Sequence, residues 1–113
     1  MTESPLTWPE FERVSLHVGT IVEARAFPAA RKPAYQLTID FGPMGVRASS
    51  AQITDHYTPE SLIGRQVLAV LNVPPKRIAG FVSECLVTGA ADEAGWVVLA
   101  EFPFPVPNGA RLF

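Results

Sequence analysis

The chain has one cysteine, Cys85, and two histidines, His17 and His56, among its 113 residues. A lone cysteine excludes an intrachain disulfide and fits a reducing compartment. Two separated histidines with scattered carboxylates form none of the spacings that hold a zinc ion. Neither histidine lies in a nucleophile motif. His56, between Asp55 and Tyr57, reads as a surface loop residue, and Cys85 as a small core residue. Ser83 and Glu84 do not make a nucleophile and its base on a strand, because neighbouring strand residues face opposite ways. A glycine-rich phosphate loop is missing as well. These absences lead to an expectation of no enzymatic activity, no metal and no cofactor.

Long apolar runs and surplus positive charge are also lacking. No stretch approaches the roughly 20 apolar residues of a membrane span, so no membrane insertion is expected. Met1-Thr2-Glu3-Ser4-Pro5 has neither the basic nor the apolar region of a signal peptide, which predicts a cytoplasmic location. Nine Lys and Arg stand against eleven Asp and Glu, a net charge of −2. That balance argues against strong non-specific nucleic-acid binding, so any such site has to be a local patch.

What the chain does have is punctuation. Eleven prolines and eight glycines in a sequence that is 48% hydrophobic predict short strands separated by turns. The length suits one domain. Thr7-Trp8-Pro9-Glu10 has the form of a capping box and opens a short helix with Trp8 and Phe11 on one face. So short a helix needs a surface to dock on, either its own barrel or a partner chain. Ser15 to Phe27 reads as a first strand with a bulge or bend at Gly19. The basic loop Pro28 to Pro33 follows it, and then the alternating strand Tyr35 to Phe41. Further strands are expected over Val46–Ser49, Val67–Val73, Phe81–Thr88 and Trp96–Leu99, with a helical turn between Thr58 and Gly64. Phe102 to Pro107 alternates prolines with Phe102, Phe104 and Val106, so it should be extended and outside any central ladder. The pattern by itself predicts a small all-β barrel or sandwich.

Asn72 to Glu84, reading NVPPKRIAGFVSE, organises the rest. An apolar strand stops at Pro74 and Pro75, because a prolyl nitrogen cannot donate to a ladder. Two cations follow, Lys76 and Arg77, then Gly80 for a reversal, and then Ser83 and Glu84. This places five polar side chains around one strand-loop-strand corner.

That stretch resembles the signature of the tRNA-binding-domain family, found as appendages of some aminoacyl-tRNA synthetases. SSAQIT from Ser49, the run from Phe11 to Gly42 and PVPNGARL from Pro105 are similar to the stand-alone CsaA group, described as export-related chaperones. The resemblance spans about Phe11 to Leu112. It implies a five-stranded OB-fold (Greek-key) barrel over residues 15–100, with a short N-terminal helix in residues 1–14 and a C-terminal extension in residues 101–113. It also implies a homodimer with chaperone activity towards preproteins.

Two binding functions emerge. In barrels of this kind ligands cross strands two and three and the adjoining loops. A nucleic-acid site, with tRNA as ligand, is expected at Arg47, Ser49, Asn72, Lys76, Arg77, Ser83 and Glu84. If Arg31, Arg47, Lys76 and Arg77 all reached phosphates, the salt slope would be about −3. The other reading is capture of unfolded or export-bound polypeptide by a homodimer. Trp8, Phe11, Phe102, Phe104 and Phe113 supply its dimer contact, being too many large apolar groups to leave bare on a monomer.

Overall fold

The computed structural model describes residues 4–113. Thr7 caps the helix α1 (Trp8–Glu12) with the reciprocal hydrogen bonds of a capping box to Glu10. The helix is only five residues long. Nine strands follow: β1 (Leu16–Ala26), β2 (Tyr35–Asp40), β3 (Val46–Ala51), β4 (Gln66–Val70), β5 (Lys76–Ile78), β6 (Phe81–Ser83), β7 (Leu86–Val87), β8 (Gly89–Ala91) and β9 (Val97–Leu99). A second short helix, α2 (Pro59–Leu62), lies between β3 and β4, capped by Thr58 through a box with Ser61.

Five strands form one antiparallel sheet in the order β3-β2-β1-β4-β7, curled into a nearly closed barrel of OB type. β1 makes the curl possible. Its first half pairs with β4 and its second half with β2, and the register shifts between Ile21 and Glu23. The bulge therefore falls at Val22, which turns outward, and not at Gly19 as expected. Gly19 serves packing: a Cβ there would sit 2.6 Å from both Ile39 and the Phe41 ring. The core gathers Ile21, Leu37, Ile39, Phe41, Leu62, Val67 and Ala69, all 1% exposed or less.

Several boundaries move for tertiary reasons. β4 ends at Val70, earlier than Val73: Leu71 still donates to the Ser15 carbonyl, but the Ser15 amide is taken by the Asn72 side chain in place of a backbone carbonyl. The expected fifth strand is split into β6 and β7, since Glu84 and Cys85 turn aside to bond β3. Lys76–Ile78, read as loop, is a strand paired with β6. Ala79 and Gly80 turn that hairpin with φ of +46° and +83°, the left-handed pair that a two-residue type I′ turn needs.

The two terminal segments are tied to the barrel. Where β1 leaves β2, its vacant edge is taken by the C-terminal residues: Val18 bonds Ala110 and Gly109, and Leu112 donates to Leu16. The buried His17 ring bonds the Gly109 carbonyl through Nδ1 and Ser15 Oγ through Nε2. Arg111 donates to the carbonyls of Glu12 and Val14, which holds α1 against the C-terminus.

Candidate polypeptide and nucleic-acid interface

β3 is the edge of the main sheet, and an edge strand carries a row of unpaired peptide groups. Here the chain seals much of that row with side chains. Glu84 donates its amide to the Ala48 carbonyl, and its carboxylate accepts the Ala48 amide at 2.9 Å. Ser83 Oγ accepts the Ser50 amide at 3.0 Å. Ser49, fully buried, donates its hydroxyl to the Cys85 carbonyl. These bonds close the barrel between β3 and the β6–β7 connection.

Asn72 has a comparable internal role. Its Oδ1 accepts the Ser15 amide and its Nδ2 donates to the Arg13 carbonyl. Arg47 is half-buried and donates to the Leu71 carbonyl. Of the seven residues expected to meet nucleic acid, Asn72, Ser83 and Glu84 thus spend polar atoms on the fold, and Ser49 is inside it. Lys76 and Arg77 are exposed.

Two clefts meet at the β3–β5 gap. The first, about 410 Å³, has a mainly apolar wall from Ile53, Val73, Pro74, Leu86, Val87 and Val97, with Cys85 and Ser83 at its floor. The second, about 640 Å³, is formed where the β1–β2 loop folds over the β5 hairpin. Arg31, Lys32, Lys76 and Arg77 line it, and no carboxylate does. Ser50, Gln52, Lys76 and Ile78 belong to both, so an apolar and a cationic surface share one rim. Both volumes lie in the range of about 300–1,000 Å³ usual for ligand sites. Lys32, Ser50 and Gln52 were not singled out in the sequence. The basic loop was visible there, but its partner lies more than forty residues further on.

Cys85 is buried beneath the apolar cleft, and burial pushes its thiol up to about 11. That thiol is inert at neutral pH. His56 bonds Asp92 at 2.6 Å and packs edge-on against Trp96 with ring centroids 5.1 Å apart. The bond to His56 holds the Asp92 carboxyl below the usual carboxylate range. Among the described residues no three His, Cys, Asp or Glu side chains converge as a metal site.

A further apolar region lies at the termini. Trp8, Phe104 and Phe113 are 79%, 77% and 106% exposed, and Phe102 borders a third cleft with Leu112 and Phe113. Phe11 is half-buried, so α1 leans on its own barrel while presenting Trp8 outward.

The model of a putative tRNA-binding domain matches residues 16–111. The chain is similar over 97% of its length to all of the crystallised chaperone CsaA of Bacillus anthracis str. Ames, with 48% identity and a TM-score of 0.90. The CsaA chaperone protein of Picrophilus torridus gives 42% identity and a TM-score of 0.88, covering 96% of this chain and all of the other. A methionine–tRNA ligase of Porphyromonas gingivalis is 34% identical over 90 residues, which are 80% of this chain and 13% of the ligase. The chain therefore belongs to the putative tRNA-binding-domain family, and within it is CsaA-like.

Proposed function

We propose that this protein is a non-catalytic, cytoplasmic binding module that holds unfolded or export-bound polypeptide in a chaperone-like manner. The observation that carries the reading is the apolar cleft beside β3, together with the internal use of Asn72, Ser83 and Glu84. Polar atoms already bonded within the fold have little left to read base edges. An apolar wall beside a strand edge suits an extended polypeptide, which offers both side chains and peptide groups.

The protein acts as a homodimer in this reading. Trp8, Phe104 and Phe113 form an exposed apolar set of the kind that marks an interface. A two-fold pair of clefts would grip one long chain at two points and raise its avidity without new contacts. Light scattering at micromolar concentration should give twice the 12.3 kDa chain mass, and a single 12.3 kDa species refutes the dimer.

A second reading, tRNA binding, is favoured by one specific feature: the four cations of the larger cleft, with no carboxylate among them. The two readings part on salt. Four phosphate contacts to a single strand give a slope near −2.8 and about a fiftyfold loss between 50 and 200 mM salt. Apolar capture survives the same change. The deciding experiment is fluorescence anisotropy with a permanently unfolded labelled polypeptide and, separately, labelled tRNA. The polypeptide should bind at both salt concentrations and still bind the double variant Lys76→Ala/Arg77→Ala. If only tRNA binds, and the double variant halves its salt slope, the polypeptide reading is overturned.

A further inference from the structure

The sealing of the β3 edge is incomplete. Strand residues that face away from β2 alternate, and Ala48 and Ser50 are two of them, since their amides reach Glu84 and Ser83. The Ala48 carbonyl is taken by the Glu84 amide. Beyond that point the barrel's own closure ends. Among the described residues nothing hydrogen-bonds the Ser50 carbonyl or the Gln52 amide. These two groups lie on the rim common to both clefts. An open strand edge of this kind accepts an added strand through main-chain hydrogen bonds, and flanking pockets sort its alternate side chains.

We propose that this edge is the polypeptide subsite, and that it selects extended segments in which an apolar residue directly adjoins an acidic one. The inference rests on the polypeptide reading above and adds the class of segment. Successive side chains of a strand point to opposite sides. A segment paired with Ser50 and Gln52 therefore sends one side chain towards Ile53 and Val97, which line only the apolar cleft, and the next towards Arg31 and Arg77, which line only the cationic one. The larger cleft has four cations and no carboxylate, so the second side chain is complementary when it is aspartate or glutamate. A lysine or arginine there meets only like charge. Main-chain bonds supply affinity without sequence, and the paired clefts supply the choice.

The test uses the full chain and three short labelled peptides of alternating leucine–glutamate, leucine–glutamine and leucine–lysine, read by anisotropy at low salt. Two exposed ion pairs predict that the glutamate peptide binds about tenfold tighter than the lysine peptide. In Arg31→Gln/Arg77→Gln, whose two side chains line only the cationic cleft, that preference should fall below about twofold, while the glutamine peptide keeps its affinity. Methylating one central peptide nitrogen of the glutamate peptide removes a single main-chain donor and should weaken binding about fivefold. Equal affinity for the glutamate and lysine peptides, or indifference to every single backbone methylation, overturns this inference and leaves general polypeptide capture standing. Failure of all three peptides, with a single-stranded oligonucleotide binding instead, overturns both. Both substituted residues are exposed, and an unchanged melting temperature of the variant confirms that its fold is intact.

Discussion

Ser83→Ala separates a residue that builds the barrel from one that meets a ligand. In the native fold Ser83 Oγ accepts the Ser50 amide at 3.0 Å, and Ser83 itself is only 9% exposed. A second contact, to the Cys85 carbonyl at 3.5 Å, is long and adds little. Truncation leaves the Ser50 amide without its acceptor in a half-buried position. A net hydrogen bond contributes about 1 kcal/mol, and a buried donor left unsatisfied costs about 1–3 kcal/mol. Water entering from the adjoining cleft would place the effect near the lower end, about 1–2 kcal/mol. For a domain of this size each kcal/mol moves the melting temperature by about 4 to 6 °C, so a fall of roughly 4–12 °C is expected. Thermal unfolding followed by circular dichroism, with urea titration at 25 °C as a check, reads this directly. Affinity for unfolded polypeptide or tRNA, measured well below the transition, should change less than about twofold. An unchanged melting temperature combined with a large loss of affinity would refute the reasoning and return Ser83 to the ligand surface.

Ala79→Asn tests the β5–β6 turn: alanine at φ +46° carries about 1–2 kcal/mol of left-handed strain, which asparagine tolerates better. The variant should be more stable by roughly 0.5–1 kcal/mol in urea titration, and a loss of stability contradicts the turn assignment. Cys85 makes stability depend on alkaline pH. Its folded pKa, about 11, lies above the unfolded value near 9, so the unfolded state gives up the proton first. The thiol's contribution is therefore fully present below pH 9 and is lost as pH rises towards 11, by up to about 2–3 kcal/mol. Cys85→Ala should flatten that part of the pH profile, and an equal slope in both proteins denies the burial effect.

Features set by neighbours in the chain were legible before the fold was known. The Thr7–Glu10 capping box and the helical turn that opens at Thr58 follow from local sequence, and the strand β2 follows from strict alternation. Gly19 was misread because a glycine within a strand pattern signals a bulge from sequence alone. Its cause here is two side chains of another strand, Ile39 and Phe41, resting where a Cβ would be. β5 was missed for a related reason. Lys76–Ile78 has no periodicity of its own, and becomes a strand only through the reversal at Ala79 and Gly80. Phe102–Pro107 lies outside the ladders, as its alternating prolines predict, but nothing in the pattern assigned the residues after it to the sheet. The bend in β1 leaves an edge that Gly109–Leu112 fills, a vacancy that no reading of the C-terminal residues reveals.

The candidate site divides along the same line. Its cations were legible as residue types, while their meeting depends on the β1–β2 loop reaching the β5 hairpin. The Asn72 to Glu84 signature carries a more general lesson. Its asparagine holds the N-terminal segment, and its serine and glutamate complete hydrogen bonds that a sixth ladder strand would otherwise make. A barrel closed by side chains is satisfied only where those side chains reach. Closure therefore stops at Ser50, and the peptide groups it leaves open fall between an apolar wall and a cationic one. The same two residues that shut the barrel thus fix where it remains open, and a motif that looks like ligand contacts can direct binding by deciding which part of an edge is left unpaired.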